Sequence, residues 1–432
     1  MSSPSDPRVV VILSSIRWGF TWQRHQAIAR AAAQAGWTVI FRESHPRRPG
    51  QIALWVQRKI RGKLGLKVDN HETSPHAIPE GAHVISAEEA PTVRSFCRRV
   101  DRITGGRPVD LVVAYLPSGQ SWRIIERLGA PALSYDDVLD WAEVPADWFP
   151  PPHYDLYQER FLAPKPGRIS RLTSDSAVLL DIWRERGHDG VLIPPAADDE
   201  YLDVDWGADA IVPRRIGYFG AVLHTMVDVD LLVKLAERYE VVVAGPADEV
   251  AYGKLRKAGA SIIGPFELPE LVENLRTWSA ILLPYQTNRA NTLVPAKIWN
   301  AIATGRPVYT SGLMLGEELV PFTRDMTELF EDGYEIPAPQ PRDNVPVWGD
   351  RWATLIGAFG DSLAGAADET VPATALADEP PVDHSEDTLP RGALWTTVPR
   401  SAASPVTADI LDAVSPVSNT AGAAVSETTG GR

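Results

Sequence analysis

Three places in this 432-residue sequence set side chains that can hold phosphate or move protons at informative spacings. In ILLPYQTNRANTLVPAKIWNAIATGRPVYTSG, residues 281–312, an apolar run of strand length ends at Pro284 and Tyr285. A polar loop follows, and Pro295 precedes an amphipathic segment that closes on Gly305. Proline suits the first helical position, where its missing N–H costs nothing, so the spacing predicts a helix opening at Pro295 with its free N–H groups facing the preceding strand. Such a terminus favours phosphate. Lys297 then falls in the first turn, where the macrodipole disfavours a cation unless an anion is bound nearby, and Asn300, one turn on, shares its face. A solvated lysine and an exposed helical asparagine are the plainer readings of the same residues.

The second place is SYDDVLDW, where Asp136 and Asp137 end an apolar run at the position of a strand's carboxyl end. A carboxylate there can take a proton from an acceptor hydroxyl, although an Asp after a strand is also commonly a helix N-cap. The third is His25, near the start of the first helical segment, a competing general base or an ordinary surface histidine. The Asp-x-Asp triplets at 203–205 and 228–230 are better explained as N-caps than as a metal site, and no metal is expected.

The elements that must position these groups follow one pattern, twice. RVVVILSS, WTVIFRE, VDLVVAYLP and APALSYDD are short β-branched runs, and WQRHQAIARAAAQAG has helical period, as in buried parallel strands with crossover helices. After SRLTSDSAVLLDIWRERG and the proline-broken GVLIPPAAD the pattern restarts with RRIGYFGAV, DVDLLVKLAERY, EVVVAGPA, SIIGPF, LPELVENLRTWS and AILLPY. This is α/β: two tandem Rossmann-like doubly wound domains facing a cleft, with ligands at the strands' carboxyl ends. Expected boundaries are 1–198 for the first domain, 199–213 for a linker, 214–345 for the second and 346–364 for a C-terminal helix. Residues 365–432, rich in Ala, Pro, Ser and Thr with few large apolar residues, read as a disordered tail.

Cys97 is the single cysteine, so no internal disulfide framework exists, and a reducing, cytoplasmic compartment is expected. No apolar run has the length of a signal peptide core or a membrane span. The formal charge of −14 argues against nucleic acid as a partner. The charge is patchy, however: residues 365–432 hold ten acidic and three basic residues, whereas 42–67 hold eight Lys or Arg against Glu43. Within that basic stretch, 52–67 interleaves Ile52, Leu54, Trp55, Val56 and Ile60 with Arg58, Lys59, Arg61 and Lys63. It is either a surface helix with its apolar side in the core or a contact with an anionic membrane surface.

In order and spacing, RRIGYFGAV, VVVAGPA, IIGPFELPELVENL, AILLPYQTN and VPAKIWNAIATGRPVYTSG resemble the C-terminal domain of bacterial GT-B glycosyltransferases of the group 1 type. WQRHQAIARAAAQAGWTV is similar to a helix in their N-terminal half. The resemblance implies transfer of a sugar from a nucleotide diphosphate donor, UDP-linked, to a glycan or polyprenyl-linked acceptor in cell-envelope polysaccharide synthesis, with no cofactor beyond the substrates. It implies that Pro295, Lys297 and the following backbone hold phosphate, that Gly220 lets the first loop approach, that Gly264 and Phe266 border the base, and that Asn300 meets the ribose. Asn300 and Thr292 stand where the family has acidic residues, and the loop after Gly220 offers only His224 in place of a basic residue. These departures motivate the alternative, a non-catalytic glycosyltransferase-like binding or scaffold protein. A Rossmann oxidoreductase is disfavoured, because RVVVILSS runs into SSIRWG rather than a Gly-x-Gly-x-x-Gly turn.

Overall fold

The computed structural model describes residues 6–19, 22–44, 77–143, 151–264, 268–286, 294–340, 342–360 and 363. The basic stretch 52–67, Thr292, Phe266 and the tail 365–432 lie outside the described residues.

The first sheet has seven parallel strands, β1 (Val9–Leu13), β2 (Thr38–Arg42), β3 (Ala82–Ile85), β4 (Leu111–Ala114), β5 (Ala132–Asp137), β6 (Ile169–Ser174) and β7 (Gly190–Leu192), in the order β3-β2-β1-β4-β5-β6-β7. The second has six, β8 (Arg215–Phe219), β9 (Glu240–Ala244), β10 (Ser261–Ile263), β11 (Ala280–Pro284), β12 (Val308–Ser311) and β13 (Thr323–Asp325), in the order β10-β9-β8-β11-β12-β13. Each sheet carries a hydrophobic cluster on each face, so its central strands are buried on both sides and read as unbroken apolar runs. The chain winds outward one way from β1 and then the other from β4, and repeats this at β8 and β11. Each unit therefore has a switch point at the carboxyl ends of its two central strands, where a doubly wound sheet opens a crevice.

Short polar side chains close several of the crossovers. Ser118, Ser176, Asp228 and Asp248 each accept a hydrogen bond from a first-turn N–H of the helix they precede. Asp228 is thus a cap, as expected, but Asp203 is not: it closes the C-terminal end of helix Asp199–Leu202, and Asp205 accepts from the Gly207 N–H in a turn.

Three further features bear on the expected elements, and the last of them is a correction. The stretch 199–213 opens with a helical turn whose Tyr201 is buried in the second unit's core. Helix Trp348–Gly357 follows the second unit in sequence but packs on the first: Trp348, Trp352 and Leu355 join the cluster of Val10, Ile28 and Phe41, and Trp352 meets Trp37 edge to face at 5.3 Å. Finally, the helix after Pro295 begins at Ile298. Pro295 instead opens a turn in which its carbonyl accepts from Ile298 N–H, leaving Lys297 at the N-cap rather than in the first turn. A six-residue helix with a lysine at its cap makes a weak anion site by its backbone alone.

The two switch points and their side chains

At the second unit's switch point, β8 ends at Phe219 and gives way to Gly220, whose φ of 111° lies in the region that favours glycine. A Cβ there would overlap the Lys297 ammonium, and a Cβ at Gly245, after β9, would overlap the Gly220 carbonyl. The two glycines therefore let loops and lysine close up. Lys297 Nζ donates to Tyr218 Oη at 2.8 Å and to the Phe219 carbonyl at 2.7 Å, and lies 4.1 Å from the Tyr218 ring centre. Among the described residues no carboxylate pairs with it, and burial of the ammonium pulls its pKa down to about 7, although part of the side chain remains exposed. A buried cation held by neutral acceptors alone is short of counter-charge.

Gly264, with φ 91°, ends β10 at an exposed position one strand beyond β9. Asn300 faces elsewhere. Its Oδ1 accepts from the Asp198 N–H and its Nδ2 donates to Asp198 Oδ2, both at 2.8 Å. Asp198 Oδ1 in turn accepts from Trp22 Nε1 and Arg30 Nη2, both at 2.9 Å, from the first unit. The loop after β1, helix Arg24–Gln34 and helix Ile298–Ala303 thus meet on one aspartate. Burial raises the Asp198 pKa, opposed by Arg30, Asn300 and Trp22. His224, in the loop after Gly220, is tied by its N–H and its ring to Asp248, at 2.6 and 3.0 Å.

At the first unit's switch point, His25 is buried between the ends of β1 and β4. Its Nδ1 lies 2.9 Å from Ser14 Oγ, and its ring stacks on Tyr115 at 3.7 Å. Burial pushes its pKa down to about 3, so the ring is neutral at physiological pH.

Asp136 and Asp137 point to opposite faces of β5, as strand alternation requires. Asp136 accepts a two-pronged pair from Arg24, Nε at 2.7 Å and Nη2 at 3.0 Å, and a hydrogen bond from Thr173 at 2.9 Å. Burial opposes its charge, but Arg24 and Thr173 outweigh it and hold the pKa below the usual carboxylate range. Arg24 also donates to the Ile193 carbonyl, at 2.6 Å, in the segment leading to the second unit. Asp137, on the other face, accepts from Trp183 Nε1 at 2.6 Å and Tyr135 Oη at 2.8 Å, and burial pushes it up to about 7 despite those donors.

The structure thus brings Lys297 to Gly220, and His25 to within the electrostatic reach of Asp136 and Arg24. It separates Asn300 from Lys297. Sequence reasoning passed over Arg24 and Asp198, each a charged residue beside ordinary helical or loop sequence, and their partners lie 112 and 102 residues away. It also passed over Asp175, which follows β6 directly and is buried with Oδ1 unpartnered. The one available signal was position, since Asp175 follows the strand ISRLTS just as DD follows ALSY. Among the described residues no group of three or more His, Cys, Asp or Glu side chains can hold a metal ion, and no helix is long and apolar enough to cross a membrane.

The fold and the two switch points define a protein of the GT-B architecture, two Rossmann-like units with the last helix returning to the first. No protein-family model and no curated protein matches the chain. Among solved structures it is similar to AviGT4, a glycosyltransferase involved in avilamycin A biosynthesis, at 14% identity and TM-score 0.47, over 83% of this chain and 99% of that one. It is also similar to Anabaena HepE in complex with UDP and glucose, at 13% identity and TM-score 0.48, over 74% and 86%. A glycosyltransferase from Rickettsia africae aligns at 10% identity and TM-score 0.44, over 83% and 90%.

Proposed function

We propose that the chain is a glycosyltransferase that takes a sugar from a nucleotide diphosphate donor. One observation carries this reading: Lys297, enclosed at the second switch point against Gly220, has neutral partners and no carboxylate among the described residues. A diphosphate at the ends of β8 and β11 supplies the missing charge, and Lys297 stabilises that diphosphate as it departs. Gly220 and Gly245 admit it, while Gly264 borders the base. Pro295 shapes the turn that delivers Lys297. The acceptor lies against the first unit, at the switch point where His25 is buried with Ser14 and Tyr115, and Asp137 with Trp183. Asp136 acts through Arg24, which it keeps charged and aimed at the junction.

The finer reading, from the sequence resemblance, is a UDP-linked donor and a glycan or polyprenyl-linked acceptor of cell-envelope synthesis, made at the cytoplasmic face of the membrane. Residues 52–67 would then contact anionic lipid, at about 1 kcal/mol per basic charge near the surface. Sedimentation with anionic vesicles, abolished by reversing Arg58, Lys59, Arg61 and Lys63 to Glu, tests that contact.

A thermal-shift panel of nucleoside diphosphates tests the donor reading. At a hundredfold excess over Kd the matching nucleotide stabilises the fold by about 2.7 kcal/mol. No shift with any member rejects the reading. A second reading, a binding or scaffold protein that does not turn over donor, is favoured by Asn300: both of its polar atoms are engaged by Asp198 and neither is free for a ribose. Nucleotide binding without release of diphosphate from any nucleotide sugar would select it.

A further inference from the structure

Three carboxyls cluster at the ends of β5 and β6, and two of them have their hydrogen-bonding capacity spent inside the protein. Asp136 is held by Arg24 and Thr173, and Asp137 by Trp183 and Tyr135. Asp175 differs. It sits one residue beyond β6, at the carboxyl edge where a doubly wound sheet receives its ligand, and its side chain is 9% exposed. Its Oδ1 is enclosed without a hydrogen-bond partner, the one carboxyl oxygen among the described residues in that condition. Native interiors satisfy nearly all such oxygens, and the exceptions call for a ligand or a function.

The charged groups acting on it are Arg24 from the first helix and Asp136 and Asp137 from β5. Arg24 is already committed to Asp136 and to the Ile193 carbonyl, so it supplies field but no hydrogen bond. Burial first, and then the two aspartates, push Asp175 up to about 8 against the pull of Arg24. At that value the group is a strong base for a carboxylate, and it changes its protonation state near neutral pH.

We propose that Asp175 is a further catalytic residue, the carboxylate that meets the attacking hydroxyl of the acceptor. This rests on the transferase reading. As the acceptor oxygen forms its bond to the anomeric carbon, the O–H proton passes to Asp175. The bond from that carbon to the diphosphate breaks, and the nucleoside diphosphate leaves with the electron pair. Asp175 then returns its proton to water.

The test compares wild type with Asp175→Asn, which keeps the shape and loses the base, and with Asp175→Glu. Calorimetry with UDP, GDP and ADP gives donor-site affinity. Release of nucleoside diphosphate from the matching hexose donors, with methyl glycosides or water as acceptor, gives turnover. Asp175→Asn should bind the nucleotide within twofold of wild type and release it about 10²–10⁴-fold more slowly. Its residual rate should lack the rise toward pH 8 expected of wild type, and Asp175→Glu should recover part of both. Turnover by Asp175→Asn within threefold of wild type overturns the assignment and leaves the transferase reading standing. Binding without turnover in wild type overturns it in favour of the scaffold reading, and no nucleotide binding at all removes both. If Asp175→Asn does not fold, as judged by circular dichroism, carbon-13 titration of wild type replaces it: the Asp175 carboxyl must titrate well above the ordinary range and shift on adding methyl glycoside. An unshifted resonance overturns the assignment.

Discussion

Lys297 could be read as a candidate phosphate ligand from its neighbours in sequence, but its charge state could not. In the folded chain burial brings its pKa to about 7, against 10.5 for a free lysine. A diphosphate raises it again, so nucleotide binding near pH 8 should take up protons, read from calorimetry in buffers of different ionisation enthalpy. Lys297→Met should abolish the uptake and weaken nucleoside diphosphate by roughly 1.5–3 kcal/mol, the range for a charged hydrogen bond, while leaving the nucleoside little affected. Equal loss for both ligands would show that the phosphate lies elsewhere. Asp137 makes a second prediction at this scale. Its folded pKa of about 7 exceeds the unfolded value near 3.8, so the folded chain holds the proton more tightly. Its stabilising contribution is complete below about pH 4 and is lost as pH rises through 7. Asp137→Asn, which cannot ionise, should therefore lose less stability than wild type between pH 4 and 8 in urea denaturation. A parallel pH dependence would contradict the burial argument.

Elements decide what a residue can reach. Asn300 was expected to share a face with Lys297, one turn apart on a helix opening at Pro295. The helix starts at Ile298, so Lys297 belongs to the turn before it, and its side chain runs to Phe219 while Asn300 reaches Asp198. Three residues of spacing predicted proximity only under the wrong helix boundary. The pairing that replaced it spans both units through Asp198, Trp22 and Arg30. Asn300→Ala leaves the buried Asp198 N–H and one carboxyl oxygen without that partner and should cost about 1–3 kcal/mol of stability. Asn300→Asp should cost more, since it sets two carboxylates together. If Asn300→Ala instead abolishes nucleotide binding with stability intact, Asn300 is a donor ligand after all.

In the whole molecule the two units are joined by more than the chain between them. Helix Trp348–Gly357 lies against helix Arg24–Gln34, and Arg351 donates to the Pro195 carbonyl, so the first domain is completed by residues some 150 positions after it ends. Trp352→Ala should destabilise the first unit by about 3–5 kcal/mol, whereas truncation after residue 365 should leave the melting temperature nearly unchanged on grounds of composition. Limited proteolysis of the Trp352→Ala variant should cut first within residues 6–198. Cleavage confined to the second unit would show that the helix is not part of the first unit's core.

Most of the strand order's raw material was local and therefore legible: VVVIL, LVVA, ALSYDD, EVVVA and AILLP are buried on both faces and can be little else. The glycine after β8, the lysine after β11 and the carboxyls that end β5 were legible too, because position at a strand's carboxyl end is a local property. Strand β3, AHVI, and helix Trp348–Gly357's true partner were not, since a short half-exposed edge strand has no periodicity of its own and an amphipathic stripe does not say which sheet it covers. The sequence by itself determined which residues arrive at the two switch points. Only the tertiary structure decided which of them are spent on each other, Arg24 on Asp136 and Asn300 on Asp198, and which are left short of a partner, Lys297 and Asp175. Burial and pairing set the charge of such groups, and both depend on residues brought together from more than a hundred positions apart.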